Sequence, residues 1–149
     1  MRVFVFEPRE DRRAGLIVEL RGSGIEAQLI NEDFFSTGLV AHSDGKIDTR
    51  AILLGEYPEM QRHIRALRQR GCANPLIVLK DFRNAQSTAE LLNMGADDVI
   101  VSPIRGADVH SRVNSIIRRL SGHAADSVVV GELTAFVAGS DPLVSGSRL

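Results

Sequence analysis

The chain has 149 residues, 44% of them hydrophobic and 25% charged, and its 18 basic and 19 acidic side chains leave a formal net charge of −1. These are the proportions of a globular domain with an ordinary apolar core, and they argue against nucleic-acid binding through bulk charge, which needs a concentrated basic face. Cys72 is the sole cysteine, so no intramolecular disulfide is available and a reducing, cytoplasmic setting is expected. Apolar runs such as Leu76 to Leu79 fall far short of the roughly 18 residues of a membrane-spanning helix, and the amino terminus lacks a signal-peptide layout, so neither insertion nor secretion is expected.

In chain order, Arg2 to Phe6 is a short Val/Phe-rich run closed by Glu7-Pro8, and Leu16, Ile17 and Leu20 then recur at helical spacing. Gly22-Ser23-Gly24 ends that helix and Ile25 to Ile30 alternates like a strand. Asn31-Glu32-Asp33 caps a helix carrying Phe34, Phe35, Leu39 and Val40, closed by Ser43 to Gly45. Ala51 to Leu54 is a β-type run, followed after Pro58 by a helix with Met60, Ile64 and Leu67 on one face. The same grammar repeats with Leu76 to Lys80 and a helix ending near Met94, then with Val99 to Ser102 and a helix from about Ala107 to Leu120. Five strands alternating with five amphipathic helices imply right-handed βαβ crossovers, a parallel sheet covered on both faces, and a site at the carboxyl ends of the strands. The positions to watch are therefore Glu7 to Arg9, Leu54 to Pro58, Lys80 to Arg83 and Ser102 to Arg105. Beyond Leu120 the pattern changes: residues 122–127 read as a small, polar linker and Val128 to Val137 as a strand or two.

Gly95-Ala96-Asp97-Asp98, followed by Val99-Ile100-Val101-Ser102-Pro103-Ile104, resembles the Gly-Ala-Asp-Asp-aromatic-apolar-Val-Lys-Pro-Phe stretch of bacterial response-regulator receiver domains, in particular those of the OmpR/PhoB winged-helix class. Pro75 to Leu79, Pro58-Glu59-Met60 and Arg112-Val113 through Arg118-Arg119 support the match over residues 1 to about 120. The fold implied is α/β: a flavodoxin-like (βα)5 doubly wound parallel sheet of order 2-1-3-4-5 with a short carboxyl-terminal β tail. The domains expected are a receiver over 1–121, a linker over 122–127, and over 128–149 the first strands of a truncated winged-helix DNA-binding domain, since Val129-Val130-Gly131-Glu132-Leu133 resembles its opening strand.

A phosphorylatable receiver gathers carboxylates at the strand ends to hold Mg²⁺ and to accept a phosphoryl group on an aspartate. By the resemblance, the first loop here retains only Glu7, with Pro8 and Arg9 at the next two positions. Counting back from Pro58 puts the acceptor at Leu54, which has no acceptor chemistry. The hydroxyl position is Lys80, the lysine position Ser102, beside Pro103, and the aromatic switch position Val99. A degenerate pocket held in one state is implied, with no catalytic residues, no cofactor and no metal. A Lys80 ion pair with Glu7 or Glu56 is expected to replace the lost phosphate and metal bridge.

OmpR-class receivers pair through the fourth helix, fifth strand and fifth helix, and the resemblance therefore predicts a homodimer on that face. Asp97 and Asp98 would oppose Arg112, Arg118 and Arg119 across a twofold axis, with Asp97–Arg112 as the leading pair and Ala89, Leu92 and Val109 at the apolar centre. Arg62, Arg65, Arg68 and Arg70 read as a solvated basic face. His42, His63, His110 and His123 lack ligand spacing with Cys72, and Asp44-Gly45 reads as a turn. The expected function is a non-enzymatic, phosphorylation-independent dimerisation domain of a cytoplasmic DNA-binding regulator, reaching DNA only through a winged helix absent from this chain and not contacting membrane. The alternatives are a flavodoxin-like small-molecule sensor and a domain that sequesters a protein partner.

Overall fold

A computed structural model describes residues 1–37 and 48–133, with side chains to residue 121. Ten elements alternate along it: β1 (Arg2–Phe6), α1 (Glu10–Gly22), β2 (Glu26–Leu29), α2 (Phe34–Thr37), β3 (Ala51–Gly55), α3 (Met60–Gln69), β4 (Leu76–Lys80), α4 (Ala85–Met94), β5 (Asp98–Val101) and α5 (Gly106–Leu133). The strands form one parallel sheet, as the sequence pattern predicts, in the order β2-β1-β3-β4-β5 that the family resemblance implies. Leu39, Val40, His42 and Asp44-Gly45 lie outside the described residues.

Central strands β3 and β4 bury all ten of their residues, which is why they read as continuous apolar runs: a parallel sheet with helices on both faces has no wet side. Phe4, Ile52, Leu54, Leu76 and Val78 build one core with Ile64 and Leu67 of α3 and Leu91 of α4. The alternate residues Val3, Val5, Leu53 and Ile77 point the other way and are as deeply buried, as are Leu16 and Leu20 of α1 and Val109, Val113 and Ile116 of α5.

Two connections fix how α4 joins β4 and β5. Asn84 caps α4, its side chain accepting from the Ser87 amide at 2.8 Å. Gly95 then leaves α4 at φ 135°, a conformation that L side chains avoid, and a Cβ there would sit 2.9 Å from Arg68 Cγ. Residues 1–116 form one compact unit, and a second unit begins at Ile117. In the second unit the backbone is helical through Leu133, where the sequence reading has a linker over 122–127 and a strand from Val128. Gly122 does not stop the helix, because no proline follows and Ala124-Ala125 favour its continuation. Residues 134–149, the rest of the expected β tail, lie outside the described residues.

Candidate functional site

The carboxyl ends of β1 and β4 bring Glu7, Arg9, Lys80 and Asp81 together around a cavity of about 240 Å³, whose wall also includes Ser102 and, from α1, Arg12 and Leu16. Strand alternation decides what reaches it. Phe6 pairs in register with Leu54, and both side chains turn toward the α3 core, so Leu54 is fully buried among hydrophobic residues rather than lining the pocket. The next residue, Gly55, faces the opposite way, toward Glu7. A Cβ on Gly55 would lie 2.5 Å from Glu7 Cδ and closer still to Oε1. The sequence count from Pro58 thus named Leu54 for a direction that belongs to its neighbour, and the space in front of that neighbour is filled by a carboxylate from β1.

Glu7 is 5% exposed, and its charge is matched by the residue two places on. Its Oε1 accepts from Arg9 Nη2 at 2.7 Å, and its Oε2 accepts from Arg9 Nε at 3.1 Å and from the Arg9 backbone amide at 3.0 Å. The same guanidinium donates through Nη1 to Asp81 Oδ2 at 2.6 Å, and Arg12 Nη1 takes the other Asp81 oxygen. These charge-assisted bonds, to Glu7 first and then to Asp81, raise the Arg9 pKa, while the bond from Arg9 holds the Asp81 carboxyl below the usual carboxylate range. Neither Asp81 nor Arg12 was singled out as a partner of Arg9 from sequence.

Lys80, 4% exposed, does form an ion pair, and of the two partners expected it takes Glu56, at 2.7 Å. Its ammonium also donates to Ser87 Oγ at 2.8 Å, linking the end of β4 to the first turn of α4. Val99 packs half-buried against the α3-side core, and Pro8, Ser102 and Pro103 are exposed.

On the α4, β5 and α5 side, the charges expected to meet a second copy are engaged within the chain. Asp97 does not face Arg112: its Oδ2 accepts from Arg68 Nη2 at 2.9 Å and from the Leu76 amide at 2.8 Å. Arg112 instead reaches Asp108 at 2.9 Å and Asp98 at 3.0 Å, and these bonds raise its pKa. Val109 is wholly buried and cannot form the centre of an exposed interface, whereas Ala89, Leu92, Arg118 and Arg119 are exposed. The basic face of α3 also needs correction. Arg68 donates to the carbonyls of Gly95, Cys72 and Asn74 at 2.9 Å each, and Arg70 donates to those of Phe35 and Phe34 at 3.0 and 3.2 Å. Their neighbours in sequence carry the same charge, but only geometry reveals which arginines find carbonyls. His63 packs on the Phe35 ring, and among the described residues no group of three or more His, Cys, Asp or Glu is arranged to hold a metal.

This order of strands is shared with solved receiver structures. The receiver domain of Francisella response regulator 1452 superposes with a TM-score of 0.61 over 80% of this chain and 98% of that one, at 18% identity. The fold is that of a receiver domain. Its sequence is 33% identical over 99 residues to the flagellar transcriptional regulator FtcR of Brucella abortus (strain 2308), a match covering 64% of this chain and 43% of that protein. It is 25% identical over 149 residues to the transcriptional regulatory protein PcoR of Escherichia coli, covering 99% of this chain and 65% of that one. The chain thus spans less than half the length of the flagellar regulator it matches. No family model matches it.

The receiver fold implies a divalent cation held by oxygen ligands at the end of β1, and the residues present do not fit one. Glu7 supplies a carboxylate, but Pro8 supplies none and the Arg9 guanidinium already engages both Glu7 oxygens. Among the described residues, no helix is long and apolar enough to cross a membrane.

Proposed function

We propose that this chain is the receiver portion of a cytoplasmic, DNA-binding transcriptional regulator of two-component type, a regulatory rather than catalytic module whose state is set without phosphorylation. The observation that carries this reading is the Glu7 carboxylate, locked by Arg9, in the space before Gly55. A phosphoryl acceptor on β3 would need that space, and a cation activating it would need the Glu7 oxygens. The sensor alternative is less well supported, because a cavity of about 240 Å³ whose central charges already pair with one another offers little to a metabolite.

In this reading the output is a homodimer. With Val109 inside and Asp97, Asp98 and Arg112 occupied, the surface left for a second copy is the outer side of α4. It carries Ala85, Ala89 and Leu92, with Phe82 79% exposed in the loop before it. An antiparallel α4 pair about a twofold axis would set Phe82 against Leu92, Ala85 against Ala89 and Arg83 near Glu90, two charges with no ion-pair partner among the described residues. DNA contact is assigned to a carboxyl-terminal winged helix beyond this domain.

The test is the solution mass by light scattering over a concentration series, with and without Mg²⁺ plus beryllofluoride. The expected result is a dimer indifferent to both additions and converted to monomer by Leu92→Asp. A monomer that dimerises only with Mg²⁺ and beryllofluoride would overturn the reading.

A further inference from the structure

Two carboxylates from different strands, Glu7 at the end of β1 and Asp81 just past β4, converge on one positive group. Glu7 is nearly sealed from water, and a carboxylate so placed must be matched by a positive charge or be neutralised. The match comes from a side chain only two residues away, whose fork satisfies both oxygens of Glu7 and still reaches Asp81. A single charge bridging two carboxylates is the geometry in which proteins hold a small hard cation, which keeps several waters and takes one or two carboxylate oxygens. Deepening the reading of a domain set without phosphorylation, we propose that Arg9 is the resident cation of this site: its guanidinium occupies a two-carboxylate cation position formed by Glu7 and Asp81, and its removal opens that position to a divalent metal ion.

The proposal differs from a merely structural role for Arg9. A loop staple, once removed, lowers stability and leaves nothing that binds a metal. A tethered cation, once removed, leaves a buried carboxylate facing a partly exposed one across the space the guanidinium filled, and a soluble cation regains the lost interaction. The Arg12 guanidinium is engaged by the other Asp81 oxygen and that of Arg13 by the Glu7 backbone carbonyl at 3.2 Å, so Arg9 is the cation that bridges the two carboxylates.

The experiment titrates Mn²⁺ into the wild-type chain, Arg9→Ala, and Arg9→Ala/Glu7→Gln, reading binding by calorimetry and thermal stability against a salt control of equal ionic strength. The expected result is no saturable binding by wild type and at least tenfold tighter binding by Arg9→Ala. At a Mn²⁺ concentration a hundred times the dissociation constant, the Tm of Arg9→Ala should rise by roughly 5–10 °C, and both gains should vanish in the double variant. If Arg9→Ala is unfolded alone but folds on adding Mn²⁺, the proposal is supported; if it remains unfolded at every Mn²⁺ concentration, or folds and binds no better than wild type, the proposal fails. That failure leaves the phosphorylation-independent reading intact. Wild-type dimerisation driven by Mg²⁺ and beryllofluoride would instead remove the reading itself.

Discussion

Lys80 places an ammonium at the end of the buried strand β4, and the two members of its ion pair with Glu56 are unequally exposed. Glu56 is about two-fifths exposed and rehydrates if set free, whereas Lys80 is sealed and does not. Removing the acid should therefore cost more than replacing the base with an apolar isostere, because the first leaves a buried charge and the second leaves none. Glu56→Ala is expected to lower stability by about 1–2 kcal/mol, a figure already discounted for solvent reaching Glu56, and Lys80→Met by less than about 1 kcal/mol. Urea unfolding of both variants checks the order; a Lys80→Met variant less stable than Glu56→Ala would show that Ser87 rather than Glu56 is the partner that matters. The pair was legible from sequence only as a choice between two acids. What settled it was the fork from Arg9, which commits Glu7, and no spacing rule foretells a contact made by a loop turning back on its own strand end.

At the level of elements, the alternation of short apolar runs with 3.6-residue periodicity was enough to specify five βα units and a parallel sheet, while the strand order came from the family resemblance. The central strands β3 and β4 are buried on both faces, and the helices pack apolar residues against the sheet. Side-chain direction within a strand was less legible, since counting from Pro58 names a residue but a shift of one reverses its face, which is how Leu54 came to stand for Gly55. The Gly95-Ala96-Asp97 stretch was legible as a motif but not in its role. It is a staple: Arg68 of α3 gathers the α3–β4 turn, Gly95 and Asp97, and Asp97 in turn accepts from the amide that opens β4. Arg68→Ala should lower stability by about 2–4 kcal/mol, since three carbonyls and a carboxylate lose donors at once. Arg68→Lys should recover little of it, because an ammonium lacks the planar fork. Chemical denaturation of the two variants measures this, and full rescue by lysine would mean that charge alone, rather than the fork, holds these elements together.

For the molecule as a whole, a described group that couples stability to pH near neutrality is His63. It lies between elements: its ring stacks on Phe35 of α2 with centroids 4.1 Å apart, meets the edge of Phe6 from β1, and is 2.7 Å through Nδ1 from the hydroxyl of Tyr57 in the β3–α3 loop. Burial pushes its pKa down, Arg62 pushes the same way, and Glu32 and Glu59 oppose. Because the folded value lies below the ordinary one of about 6.5, the unfolded chain binds more protons in the window between them, and stability rises with pH across that window. The contribution is complete above about pH 6.5 and is lost as pH falls through the window toward the folded value. Protonation must either place a charge against two phenylalanine rings or pull the imidazole out of the cluster joining α2, α3 and β1, so a local proton is expected to register in cooperative unfolding of the whole unit. Urea midpoints measured from pH 8 to pH 5 should therefore fall more steeply for the wild-type chain than for His63→Phe, which keeps the ring and removes the titration. All other residues are common to the two proteins, so parallel curves would show that His63 is free to charge in place.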